Sequence, residues 1–175
     1  MIPFRAPKFS LKGTITGRVV NLHDGDTFTC VIPFLDKESS LDTHYKFSIR
    51  LAGIDTCEMT SINSILKSKG FLARDRLFKL ITGTNINTLE WRRSDFERYF
   101  ERNYTTVELK CKDIMDKYGR VLADVYDFAD VLVREKLAYR YDGGTKLTDS
   151  QILAQVSSDT FDTKDSTRPF SSDAL

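Results

Sequence analysis

Nowhere does the chain reach the roughly 18 consecutive apolar residues that a membrane-spanning helix requires. Its amino terminus, Met-Ile-Pro-Phe-Arg-Ala-Pro-Lys, is interrupted by prolines at 3 and 7 where a cleaved secretion signal would carry an apolar run. No membrane association is expected, and the expected setting is intracellular: cytoplasm, nucleus or a virion. Cysteine is scarce. Cys30, Cys57 and Cys111 cannot all pair within one chain, and none stands at a CxxC or metal-finger spacing, which fits reduced thiols in an intracellular compartment. Charge of one sign is also missing. With 26 basic and 25 acidic residues the formal net charge is +1, so any nucleic-acid site must be a local patch. The only histidines, His23 and His44, match no ligand pattern, and both are expected on the surface. No internal repeat is present.

What remains is a 175-residue chain, 41% hydrophobic and 29% charged, the composition of one compact domain with tails. Two stretches rich in β-branched residues within Thr14–Val31 flank His23-Asp24-Gly25-Asp26. An Asp-Gly pair between such runs is a strong hairpin signal and places Asp26 at the start of a strand. Tyr45, Phe47, Ile49 and Leu51 alternate with Lys46, Ser48, Arg50 and Ala52, predicting a third strand over Tyr45–Ile54 with Arg50 pointing away from the apolar face. From Ile62 to Ile81 apolar residues recur at three- and four-residue intervals, the mark of an amphipathic helix, closed by Gly83. A fourth strand is expected at Thr105–Lys112 and a fifth at Arg120–Tyr126, with Asp130 capping a short helix through Ala138.

Three strands, a helix, two strands and a helix are too few strands for a sandwich and lack βαβ alternation. The predicted fold is α+β: a five-stranded OB-fold-type β-barrel with about three packed helices. The domain is expected over 13–147, between an amino-terminal extension, 1–12, and a carboxy-terminal tail, 148–175. Beyond Ser157 the tail is too poor in apolar residues to offset its ordering entropy. Segment 82–104 is rich in arginine and aromatic residues. Ser94-Asp95-Phe96-Glu97 has the form of a capping box there, and Phe96, Tyr99 and Phe100 would share one helix face. Such a helix either packs on the barrel or extends a surface for nucleic acid or a protein partner.

Three separated segments carry the chemistry: Asp24-Gly25-Asp26-Thr27, then Arg50 through Glu58, then Asp116-Lys117-Tyr118-Gly119-Arg120. Taken singly they read as a hairpin turn, a helix-capping pair and a basic turn. Together they suit phosphodiester hydrolysis, which requires neutralised phosphoryl oxygens and a water in line with the leaving oxygen. Asp26 and Asp55, each at a strand end, are carboxylates of the kind that hold a hard cation such as Ca²⁺.

The same three motifs, in this order and with this internal spacing, resemble the staphylococcal nuclease (thermonuclease) family over roughly residues 14–144. The likeness includes the helix Lys69–Ile81 and the stretch Val131–Tyr141. It implies Ca²⁺, with Mg²⁺ or Mn²⁺ as alternatives, held by Asp26, Asp55 and the carbonyl of Thr56. It further implies Glu58 as general base or water-positioning group, and Arg50 and Arg120 as clamps on the phosphate whose fork geometry lysine cannot copy. Lys117, Tyr118 and Tyr141 match positions that contact the substrate. The implied activity is an endonuclease or exonuclease on DNA, RNA or both, in which the 5′ oxygen leaves and products carry 3′ phosphates. The expected state is a monomer, with segment 82–104 as a candidate interface. The chain departs from the family at Cys57, where proline is common. Asp55 also lies an odd number of residues from Arg50, so both reach one site only if the strand ends or bulges near Gly53. The alternative from another class is a module that grips nucleic acid or a protein without cutting.

Overall fold

The computed structural model describes residues 11–34 and 43–157. Most of the amino-terminal extension and the tail beyond Ser157, with its expected mobility, lie outside the described residues. Strands β1 (Lys12–Leu22), β2 (Thr27–Phe34), β3 (Thr43–Leu51), β5 (Thr106–Met115) and β6 (Val121–Asp124) close into a barrel in the order β1-β2-β3-β6-β5. All neighbours are antiparallel except β3 and β6, which run parallel. This is a mixed, closed five-stranded barrel of the OB type, α+β as expected. Val19, Phe28, Ile49, Leu51, Leu109 and Ala123 fill its interior, each essentially without solvent contact. Closure leaves the five strands without a free edge.

Four helices decorate the barrel among the described residues: α1 (Ser64–Thr82), α2 (Arg93–Arg102), α3 (Phe128–Arg134) and α4 (Asp149–Val156). Helix α1 begins at Ser64 because the Asn63 carboxamide oxygen accepts the N–H groups of Ile65 and Leu66. Ile62, expected on its buried face, is fully exposed ahead of the cap. Leu77, Phe78 and Ile81 face the core, Ala73 is also buried, and Gly83 ends the helix in the left-handed conformation at φ 69°.

Segment 82–104 is pinned to α1 from two adjacent residues. Arg74 donates to the carbonyls of Thr88, Leu89 and Trp91, while Asp75 accepts from Thr88 N and Thr88 Oγ1 at 2.6 and 2.9 Å and pairs with Lys79. Helix α2 then lays Phe96 and Phe100 on the barrel, with Trp91, Phe96 and Tyr99 set edge-on around Phe78 at 4.9–5.7 Å between ring centres. The cap lies two residues earlier than its motif suggests: Asp95 accepts from Arg92 N at 2.8 Å, and Arg92 is the N-cap.

These anchors give one pH prediction. Burial raises the Asp75 carboxyl, but hydrogen bonds from Lys79 and from Thr88 outweigh it and hold the group below its ordinary value of 3.8. A depressed carboxylate stabilises the fold above its unfolded value, and that contribution disappears as pH falls through the folded value. Asp75→Asn is therefore expected to lower Tm at neutral pH, with the gap to the parent protein closing in acid below 3.8. Thermal melts across pH test this, and a gap that persists unchanged into acid would rule it out.

The last part of the chain differs most from expectation. Helix α3 stops at Arg134, where Lys136 turns left-handed at φ 58°, and Ala138 belongs instead to strand β7 (Ala138–Arg140), paired with β4 (Ile54–Thr56). Asp130 is no cap, since it forms an ion pair with Arg140 and Asp127 holds the cap position. A fourth helix rises from what composition assigns to the tail. Thr148 and Gln151 cap α4, and Ile152 and Val156 bury themselves against Cys57, Leu66 and Tyr139. Burying two such side chains stabilises by roughly 1.5–3 kcal/mol each, enough to order a short helix. No helix among the described residues is long and apolar enough to cross a membrane.

Candidate functional site

The β1–β2 loop, the turn between β3 and β4, the turn between β5 and β6, and the connection from β7 to α4 surround one cavity of about 870 Å³. All of Asp26, Arg50, Asp55, Thr56, Glu58, Lys117, Tyr118, Arg120 and Tyr141 line it. Strand β3 ends at Leu51, and Gly53 turns the chain at φ 74° before β4 begins, so Arg50 and Asp55 reach the same space despite their odd spacing. On the other side Gly25 lets the loop press close: a Cβ there would lie 2.5 Å from Ala73 Cβ and 2.9 Å from Thr56 Cγ2. Glycine thus brings Asp24 and Asp26 against β4.

A connected polar network occupies the floor. Arg50 donates through Nη1 to Asp26 Oδ2 at 2.7 Å and through Nη2 to Asp55 Oδ1 at 2.8 Å and the Ile54 carbonyl at 3.1 Å. The Thr27 hydroxyl donates to Asp26 Oδ1 at 2.6 Å and accepts from Arg120 Nη1 at 3.2 Å. Arg120 Nε in turn donates to Asp116 Oδ2 at 2.6 Å, and the Asp116 carboxylate also accepts the N–H groups of Tyr118 and Arg120. Two arginines from separate motifs are therefore joined through Asp26 and Thr27. Tyr139 completes the floor by donating its hydroxyl to Asp55 Oδ2 at 2.9 Å.

Burial sets the electrostatics. Asp26 is 1% exposed, and desolvation, with Asp24 behind it, pushes its carboxyl well above the usual range against Arg50 and Thr27. Its ionised form leans on the guanidinium. Burial likewise opposes the charge of Arg50, but Asp26 and Asp55 outweigh it and hold Arg50 above its ordinary value. The Cys57 thiol is buried, pushed up to about 11 by desolvation, and sits in the apolar cluster with α4. It packs and is no nucleophile.

The rim is looser. Glu58 extends into solvent and pairs with Lys146 at 2.6 Å. Lys117 and Arg120 both lie over the ring of Tyr118, which is largely exposed, and Tyr141 donates to the Gly144 carbonyl at 2.8 Å. His23, expected on the surface, is half-buried in the cavity wall with Nε2 2.7 Å from Thr29 Oγ1, and burial and then Arg93 lower its pKa. His44 is exposed as expected. Thr27, Asp116, Tyr139 and Lys146 were not foreseen as site residues. Thr27 and Asp116 lie inside the motifs, whereas Tyr139 and Lys146 reach the site only through the pairing of β7 with β4 and the docking of α4.

No family model matches the chain, and no curated protein matches it. The likeness to the thermonuclease family therefore rests on the motif residues themselves. Their donor set fits a hard cation in chemistry, being carboxylate and carbonyl oxygen throughout. Among the described residues no three His, Cys, Asp or Glu side chains form a group that could hold an ion as they stand, and Arg50 instead bridges Asp26 and Asp55.

Proposed function

We propose that the chain is a metal-dependent nuclease that hydrolyses phosphodiester bonds of DNA, RNA or both. The observation that carries this reading is the linkage of Arg50 and Arg120 through Asp26 and Thr27 on the floor of one cavity that Asp55 and Glu58 also line. Asp26, Asp55 and the Thr56 carbonyl would hold Ca²⁺, with Mg²⁺ or Mn²⁺ as alternatives, and the ion would supply positive charge against the phosphoryl oxygens. Arg50 and Arg120 would turn N–H donors to the same phosphate as its charge develops, which for Arg50 requires release from Asp26 and Asp55. Glu58 accepts the proton of the attacking water, and the 5′ oxygen leaves and takes a proton from solvent at the open cavity mouth, so that products carry 3′ phosphates. Lys117, Tyr118 and Tyr141 orient the nucleotide and do not react.

A second reading, a module that grips nucleic acid without cutting, draws on the commitment of Arg50 to two carboxylates and of Glu58 to Lys146. One assay separates the two: labelled single- and double-stranded DNA and RNA, with Ca²⁺, Mg²⁺, Mn²⁺ or chelator, for the parent protein and Glu58→Gln. Cutting that needs a divalent ion and drops about a hundredfold in Glu58→Gln is expected, the scale of general base catalysis. No cutting with any metal, or undiminished cutting by the variant, would sink the nuclease reading.

A further inference from the structure

The ion-paired cations that line the cavity are held very differently. Arg50 is 11% exposed and tied to two acids, and Arg120 is 23% exposed and tied to Asp116 and Thr27. Lys146 is 55% exposed, and its partner Glu58 is 62% exposed. Breaking a buried pair leaves a desolvated charge behind, whereas an exposed pair is screened and contributes little, so its members exchange partners readily.

The backbone on both sides of this exposed pair is nonetheless fixed. Cys57, immediately before Glu58, packs with Ile152 and Val156 of α4, the helix that follows Lys146. On the other flank, Tyr141 Oη bonds the Gly144 carbonyl and the Asp142 carboxylate accepts Gly144 N–H, shaping the connection that carries Lys146. One apolar cluster thus sets both residues at the cavity mouth while their charged ends stay in water.

Resting on the nuclease reading above, we propose that Lys146 is the exchangeable cation of the site. In the free protein it holds Glu58; when a nucleic-acid strand enters, it leaves Glu58 for a backbone phosphate beside the scissile one. Arrival of the polyanion then frees the carboxylate that the reaction uses. Lys146 is a substrate-contacting residue and does not take part in the proton transfer.

The test compares the parent protein, Lys146→Gln, Lys146→Arg and Arg120→Ala. Binding of a fluorescently labelled single-stranded oligonucleotide is followed by anisotropy in chelator over a range of salt. Each phosphate contact on a single strand contributes about 0.7 to the slope of log affinity against log salt. Lys146→Gln is expected to weaken binding about fivefold at low salt and to make the slope shallower by about 0.7, with Lys146→Arg restoring both. The loss of kcat/KM in Lys146→Gln is expected to be smaller on a chromogenic ester with a single phosphodiester than on the oligonucleotide, since the ester has no neighbouring phosphate to be contacted. An unchanged slope in Lys146→Gln beside weakened binding in Arg120→Ala would overturn the inference and leave the nuclease reading standing. Equal loss of kcat/KM on both substrates would also overturn it, placing Lys146 in the chemistry of Glu58. A parent protein that binds no oligonucleotide in chelator would overturn the inference, and one that also cuts none with any divalent ion would remove the nuclease reading too.

Discussion

Arg120→Ala is expected to lower kcat/KM on an oligonucleotide by about a hundredfold or more while leaving the fold in place, the usual cost of removing one donor from developing charge. The turn that carries this residue does not need its side chain. Asp116 Oδ1 takes the backbone N–H groups of Tyr118 and residue 120, and Asp116 N donates to the carbonyl of residue 120, bonds that alanine preserves. Asp116 Oδ2, the Thr27 hydroxyl and the exposed Tyr118 ring lose a partner, and water can replace the two hydrogen bonds. Arg120→Lys keeps the charge without the fork and is expected to recover little of the lost rate. Steady-state kinetics with urea unfolding on the same variants decide the matter. Retention of more than about a tenth of the rate in Arg120→Ala would exclude the clamp.

Arg50→Leu carries the largest expected effect on stability. It strands Asp26, which is 1% exposed, without its cation, and breaking a buried pair in this way costs about 3–5 kcal/mol. The loss has a defined pH dependence. Burial already raises Asp26, and without Arg50 nothing but Thr27 opposes that shift, so the folded state binds a proton that the unfolded state does not. Stability of the variant relative to the parent is then expected to recover as pH falls through the folded value. Millimolar calcium should stabilise Arg50→Leu more than the parent, because no guanidinium competes for Asp26 and Asp55. Urea unfolding with calcium or chelator measures both effects. If calcium stabilises neither protein, Asp26 and Asp55 do not hold a metal.

The barrel was legible because its signals are local. Asp24-Gly25 announces the first hairpin, alternation announces β3 and β5, and Gly53 ends β3 where the parity of Arg50 and Asp55 requires a break. What alternation could not convey is that Arg50, on the face opposite Ile49 and Leu51, is buried too, because Asp26 and Asp55 reach it from other elements. The helix boundaries depart from the sequence pattern where local signals compete. Apolar periodicity runs back to Ile62, but the Asn63 side chain takes the first free N–H groups and sets the start at Ser64. Ala138 continues the pattern of α3, yet it goes to β4, a partner more than eighty residues earlier that no local rule can name. Helix α4 starts inside what composition assigns to the tail, because Ile152 and Val156 find their apolar partners on distant elements, Cys57, Leu66 and Tyr139.

That pairing of β4 with β7 has a consequence for synthesis. Asp55 is made early, but Tyr139, which holds its carboxylate, and Lys146, which holds Glu58, are among the later residues of the described chain. All five barrel strands precede them, so an unfinished chain released from the ribosome after Asp124 would contain every strand of the barrel and none of this closing contact. The candidate site is finished last, by a segment that supplies no strand to the barrel.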